Sequence, residues 1–338
     1  MPEVELKNII IGSIKKAQEG RLYFELIFNN QDEPVKKNEF LFFIKPEITL
    51  QSDKIKLNDI LDLVFQNLLK YNFSIHNVKA LSAQYLKEYN IIAQHYGVIN
   101  KLASNAFQNL SESAKSSFVK NYSTGFDKAK IKGGIEFLNE YSEFNPFSLD
   151  ILWKNKQNIK LASGTYCEDI SLDNETVYLI NGFHPRQIEH FTKHGRSIIV
   201  FTISGDIDWK IARNNFIGST DPRKAENGSI RRELLDNKEI LGLDEVSQGF
   251  NGVHLSAGPV EALIELVRYN SNFKNTAEIM KIEDFSFGRV IKKEFNEDQI
   301  SKILNNININ SNGSTLSIFD LTEEKNAEEA LQILKKIL

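Results

Sequence analysis

Asn251 and His254 stand three residues apart in NGVHLSAGPVEALIELV, and the upstream segment IGSTDPRKAENGSIRREL supplies Thr220, adjacent arginines at 231 and 232, and several glycines. A neutral imidazole is a nucleophile able to attack phosphorus. A guanidinium offers a fixed fork of donors that matches phosphate oxygens. Histidine, arginine and glycine gathered between Gly218 and Glu265 therefore predict phosphate chemistry. Positioning and charge stabilisation would supply most of the catalysis. An unperturbed imidazole, with a pKa of about 6.5, is largely neutral near pH 7, which suits His254 to attack.

These residues need a scaffold. EFLFFIKPE reads as a short apolar strand that Pro46 ends, leaving Lys45 at the strand exit; taken alone, Lys45 reads as a surface lysine. LNDILDLVFQNLLK has apolar residues at 57, 60, 61, 64, 65 and 68, which is helical spacing. FSIHNVKALS reads as a strand and 83–107 as helical. VYLIN (177–181) is a strand, FHPRQIEHFTKHG (183–195) a helix with proline near its start, and SIIVFTISG (197–205) a strand central in a sheet. GPVEALIELVRYN follows His254 as a helix with Val260, Leu263, Ile264 and Val267 on one face, which puts Glu265 on the polar side as a solvated acid. Ser256 stands where a helix N-cap would. Near the N-terminus, 7–14 and 20–28 read as two strands around a turn, followed by the polar loop QDEPVKKN. Residues 98–175 read as an inserted subdomain or a long lid. After Phe273, FGRVIKKEF reads as a strand, DQISKILNN as a helix, NNININSNG as a loop or interrupted edge and STLSIF as a strand. The last helix has acids early and lysines late, as the helix dipole prefers.

The chain has 338 residues, enough for two domains or one elaborated domain. Its 41% hydrophobic and 25% charged content is globular. A net charge of −4 argues against wholesale nucleic-acid binding. Cys167 is the only cysteine, which excludes an intrachain disulfide. The N-terminus lacks a basic segment followed by an apolar core, so no signal peptide is expected. No apolar run approaches the roughly 20 residues that span a bilayer, so the expectation is a cytoplasmic location without a membrane partner.

A series of short motifs in one order resembles the nucleoside diphosphate kinase family. They are FFIKPE with Lys45, QHYG with Tyr96, GSTDP with Thr220, GSIR with Arg231, and NGVHLS with Asn251, His254 and Ser256, followed by Glu265 eleven residues after the histidine. The resemblance covers roughly 39–96 and 183–270. It implies an α+β fold, a ferredoxin-like antiparallel sheet with covering helices. To this would be added N-terminal strands (1–38), an insertion at about 97–182 and a C-terminal α/β extension (275–338). The kinase-like domain would run 39–274, with 184–194 as its next helix after the insertion.

The resemblance also implies ping-pong transfer of the γ-phosphate of a nucleoside triphosphate to a nucleoside diphosphate through phospho-His254. ATP would be the donor, and Mg²⁺ would arrive on the nucleotide phosphates rather than in a protein cage. Glu265 and Ser256 would orient the imidazole, with Tyr96 close to it. Lys45, Arg213, Thr220, Arg231 and Asn251 would contact the nucleotide, and Phe183 would lie near the base. A homo-oligomer, dimer or hexamer, is implied as well. The chain departs from the family in three places. HLSA replaces the usual His-Gly-Ser-Asp, the spacer from Arg231 to Asn251 is longer, and Asn214 occupies the register of a phosphate-binding arginine. Either a local bulge lets Arg213 serve instead, or the phosphate site is weaker. Tyr89 offers a rival register for Tyr96. The alternative reading is a catalytically impaired nucleotide-binding sensor or scaffold of the same fold.

Overall fold

The computed structural model describes residues 1–338 apart from Gln31, Ser163, Asp173, Asn312 and Gly313. Parts of the QDEPVKKN loop and of the NNININSNG stretch thus lie outside the described residues. The chain divides into two compact units, one formed by Met1–Tyr89 with His194–Leu338 and the other by Asn90–Lys193. Among the described residues no helix is long and apolar enough to cross a membrane.

The first unit is built on five strands: β1 (Phe24–Asn29), β2 (Asn38–Ile44), β3 (Ser74–Ser82), β4 (Ser197–Gly205) and β5 (Val253–Leu255). They lie in the order β1-β3-β4-β2-β5 with every pairing antiparallel. Leaving out the edge strand β1, this is the strand order of a ferredoxin-like βαββαβ sheet. All nine residues of β4 are buried, and its apolar run Ile198–Phe201 suits a central strand. Helix α1 (Glu3–Gln18) precedes β1, and helix α2 (Leu57–Lys70) crosses from β2 to β3. From β4 the chain passes through the helical stretch Trp209–Ile217 and α3 (Ile230–Asp236) before reaching β5. Helix α4 (Pro259–Asn270) follows β5.

Period-two alternation assigns the two faces of the sheet. Phe40, Phe42 and Ile44 of β2 share one core with Ile199, Phe201 and Ile203 of β4, and α1, α2, Trp209 and Phe216 cover it. Leu41, Phe43 and Lys45 point the other way, toward the side where α4 packs on β2.

Two expectations are corrected. Residues 7–14 are not a strand but the middle of α1. The run of isoleucines hides a four-residue spacing, Leu6, Ile10 and Ile14, that buries one helical stripe. FGRVIKKEF is helix α5 (Ser286–Glu294), whose Phe287 and Ile291 are buried at the same spacing. The expected helix after the insertion is present as His184–Thr192 and groups with the second unit, while Trp209–Ile217 leads into the crossover from β4 to β5. The C-terminal part continues with α6 (Glu297–Leu304), a two-stranded ribbon (Asn308–Ser311 with Ser314–Ser317), a turn of helix at Ile318–Thr322 and α7 (Ala327–Ile337).

Among the described residues the second unit has a four-stranded sheet, with 130–133 parallel to 175–180 and then 165–172 and 159–162 antiparallel. Glu168, on the strand Thr165–Leu172 of this sheet, is 2% exposed. Neither of its carboxylate oxygens has a hydrogen-bond partner among the described residues. Burial pushes its carboxyl up to about 7, with Lys156 opposing and Asp169 adding to the rise. An acid whose folded pKa is raised contributes most below the unfolded value of 4.5 and loses that contribution as pH climbs through 7. The second unit should therefore weaken from pH 5 to pH 8 by on the order of 1–2 kcal/mol. Calorimetric unfolding of the full chain should show Glu168→Gln nearly flat over that range; a wild type equally flat would refute the effect.

Candidate functional site

Strand β5 sits at the sheet edge and pairs only with β2, with Phe43 opposite His254. Lys45 N donates to Gly252 O at 2.8 Å and Ser256 N to Leu41 O at 3.1 Å. That register turns the carbonyls of Val253 and Leu255 outward, off the edge. Each meets an arginine. Arg231 Nη2 donates to Val253 O at 3.0 Å, and Arg213 Nη1 donates to Leu255 O at 3.2 Å. Satisfying the exposed edge thus places two guanidinium groups on the residues immediately before and after His254. Arg231 is buried, and its Nη1 also donates to Gly218 O at 2.8 Å.

Alternation sends the Val253 and Leu255 side chains into the main core and His254 to the opposite face. There its ring stacks on Phe43, with centroids 4.5 Å apart and planes at 22°. His254 Nε2 lies 3.1 Å from both Glu265 oxygens. Ser256 Oγ donates to Glu265 Oε2 at 2.6 Å. Glu265 is therefore not a solvated acid; it is 2% exposed. Helix α4 packs on β2, and its Glu265 side faces the sheet: the carboxylate meets His254 and Ser256, and Tyr269, one turn further on, lies 5.4 Å from the Phe43 ring. Ser256 is likewise no N-cap, since that position belongs to Gly258. With an ionised Glu265, Nε2 must carry the ring proton, and the lone pair then resides on Nδ1.

Lys45 is buried too, against the expectation of a surface lysine. Its Nζ donates to Asn251 Oδ1 at 2.7 Å. Burial is the first cause that pulls its ammonium down to about 8; Glu47 opposes this and Arg231 adds to it. Asn251 Nδ2 donates to Thr220 O at 3.0 Å, tying the GST loop to the residues before His254. Thr220 itself is exposed. Gly252 takes φ +79°, and its N–H donates to Glu47 Oε1 at 2.8 Å. A Cβ there would lie 2.4 Å from Leu234 Cδ1. Gly252→Ala should cost about 1–2 kcal/mol from left-handed strain alone, before Leu234 is displaced. Urea unfolding that moved by less than the error of the measurement would contradict this.

The bulge considered for Arg213 exists as a π-helical turn at Ala212–Ile217. A π turn accommodates one extra residue and rotates what precedes it. Arg213 accordingly reaches Leu255, while Asn214 Nδ2 donates to Lys210 O at 2.9 Å within its own helix. The first unit therefore gathers His254, Glu265, Ser256, Lys45, Asn251, Arg213 and Arg231, with Thr220 joined through its carbonyl.

Tyr96 and Phe183 belong to the second unit. The Tyr96 ring stands edge-on to His95 at 4.6 Å, and Phe183 packs near Trp153 at 5.9 Å. Tyr89 lies in the first unit among Tyr85 and Phe273. Sequence reasoning overlooked Phe43, although two residues before Lys45 in a strand is the same face. It also overlooked Trp209, whose Nε1 donates to Ser256 O at 2.9 Å, and nothing local in the sequence signals that contact.

No family model matches the chain, and no curated protein does. Among solved structures, the apo nucleoside diphosphate kinase from Encephalitozoon cuniculi is 14% identical, covering 73% of this chain and 96% of its own, with a TM-score of 0.33. An NDP kinase from Pyrobaculum aerophilum is 18% identical over 73% of this chain and 100% of its own, with a TM-score of 0.34. At these values the likeness carries no argument about function, which must come from the residues of the site.

Proposed function

We propose that the protein is a phosphotransferase of the nucleoside diphosphate kinase type, carrying the phosphoryl group on His254. One observation carries the reading: His254 holds Nε2 at 3.1 Å from a buried carboxylate, between two carbonyls each bound by an arginine. Fixing the proton on Nε2 directs Nδ1 to attack. The Nδ1 lone pair forms the new bond to the γ-phosphorus while the bond to the bridging β–γ oxygen breaks, and the diphosphate leaves with that electron pair. The ring gains positive charge as the bond forms, which Glu265 stabilises. A second nucleoside diphosphate then takes the group by the reverse step. Lys45, Arg213 and Arg231 supply cations for the phosphate oxygens, since a guanidinium has five N–H donors and a carbonyl contact uses only one. The nearby carboxylates, Glu47 and Glu265, accept bonds from protein donors. That donor set suits a magnesium–nucleotide complex as substrate rather than a metal held by the protein.

A second reading, a nucleotide-binding module without turnover, has one observation in its favour: both arginines already donate to backbone carbonyls. Incubation with γ-labelled ATP separates the two. The kinase reading requires an acid-labile, base-stable label on the wild type that unlabelled diphosphate discharges. Nucleotide binding by calorimetry without any label would leave only the second.

A further inference from the structure

The segment between Thr322 and Ala327, in the C-terminal part outside the ferredoxin-like layer, is fastened to the joint that links His254 to Glu265. That joint is Ser256–Ala257–Gly258, the three residues between β5 and α4. Two of its carbonyls are held by donors from elsewhere: Trp209 Nε1 binds Ser256 O at 2.9 Å, and Glu324 N binds Ala257 O at 2.9 Å. The third residue can only be glycine, because a Cβ on Gly258 would lie 2.5 Å from Thr322 O. The same segment also fixes Trp209. Asn326 Oδ1 accepts from Trp209 N at 3.0 Å and from Asn38 Nδ2 at 2.9 Å, while Asn326 Nδ2 donates to Asp208 Oδ1 at 2.8 Å. Ala327 N donates to Asn38 Oδ1 at 3.0 Å.

We propose that Asn326 is a positioning residue for His254, acting through Trp209 and the Ser256–Gly258 joint to set the imidazole–Glu265 geometry. Ser256 is the link: its carbonyl is held by Trp209, and its hydroxyl donates to Glu265 Oε2 at 2.6 Å. If Trp209 shifts, the carbonyl follows it, the hydroxyl turns, and Glu265 loses the donor that aims it at the ring. The catalytic meaning of this relay rests on the phosphotransferase reading, but the relay itself does not.

The test compares Asn326→Ala with Leu334→Ala in the full chain. Leu334 is fully buried on α7 and makes none of these polar bonds, so its variant loosens the helix without cutting the relay. The first readout needs no nucleotide: the imidazole N–H resonance of His254 in nitrogen-15 spectra, which hydrogen bonding to a carboxylate shifts downfield and protects. It should move or broaden in Asn326→Ala and stay in place in Leu334→Ala. The second is phosphoryl transfer from labelled ATP, expected to fall about 10-fold in Asn326→Ala through misplacement, with KM within about 2-fold. An unmoved resonance in Asn326→Ala overturns the proposal, and so does an equal shift in Leu334→Ala. If the wild type carries no label yet the resonance moves only in Asn326→Ala, the positioning role stands and the phosphotransferase reading fails.

Discussion

His254→Ala should take up no acid-labile label from γ-labelled ATP, a loss on the order of 10⁴-fold or more, because no other group can replace the attacking nitrogen. Nucleotide binding should persist, since Lys45, Arg213, Arg231 and Asn251 hold their positions through backbone and side-chain bonds that do not involve the imidazole. The ring stacks on Phe43, so its removal also opens a small gap, with an expected cost of about 1–3 kcal/mol in unfolding free energy. Labelling and calorimetric binding on one preparation distinguish loss of chemistry from loss of fold. A variant that still takes up label at the wild-type rate would move the nucleophile elsewhere.

Glu265→Gln should lower the rate of phosphoryl uptake by roughly 10²–10³-fold with little change in KM. The replacement keeps shape and burial, and its carbonyl oxygen can still accept one of the two donors that now converge on the carboxylate, His254 Nε2 and Ser256 Oγ. It removes the negative charge that faces the imidazole as the ring becomes cationic. In a site this buried that charge acts with little screening, so the effect should appear in the chemical step and not in binding. Single-turnover labelling at saturating ATP measures that step directly. A fall in KM-dependent binding at constant rate would assign Glu265 a structural role only.

Much of this arrangement follows from short-range pattern. Alternation in FLFFIKP puts Phe43 and Lys45 on one face, and Pro46 ends the strand where Lys45 emerges. The helical spacing after Pro259 carries Glu265 back toward His254, because eleven residues span a short joint and about two turns of helix. The strand β4 was legible because the apolar run Ile198–Phe201, with Ile203, suits a strand covered on both faces. Local pattern misled where two periods overlap, as in KNIIIGSI, whose isoleucine run masks the four-residue spacing that α1 buries.

The sequence by itself determined which residue types could meet and in what order: a histidine, an acid eleven residues later, a lysine at a strand exit and a glycine loop. Tertiary structure alone decided their state. Spacing alone makes Glu265 a solvated acid, and only the packing of α4 on β2, which brings the carboxylate to His254 and Ser256, makes it dry. Arg213, not the residue one later, reaches Leu255 O beside His254 where a π turn runs through Ala212–Ile217. The two arginines flank His254 because β5 is an edge strand with carbonyls to satisfy, a fact of sheet order that no local window contains. Burial and edge position depend on what the rest of the chain brings alongside, and that is why they could not be read from spacing.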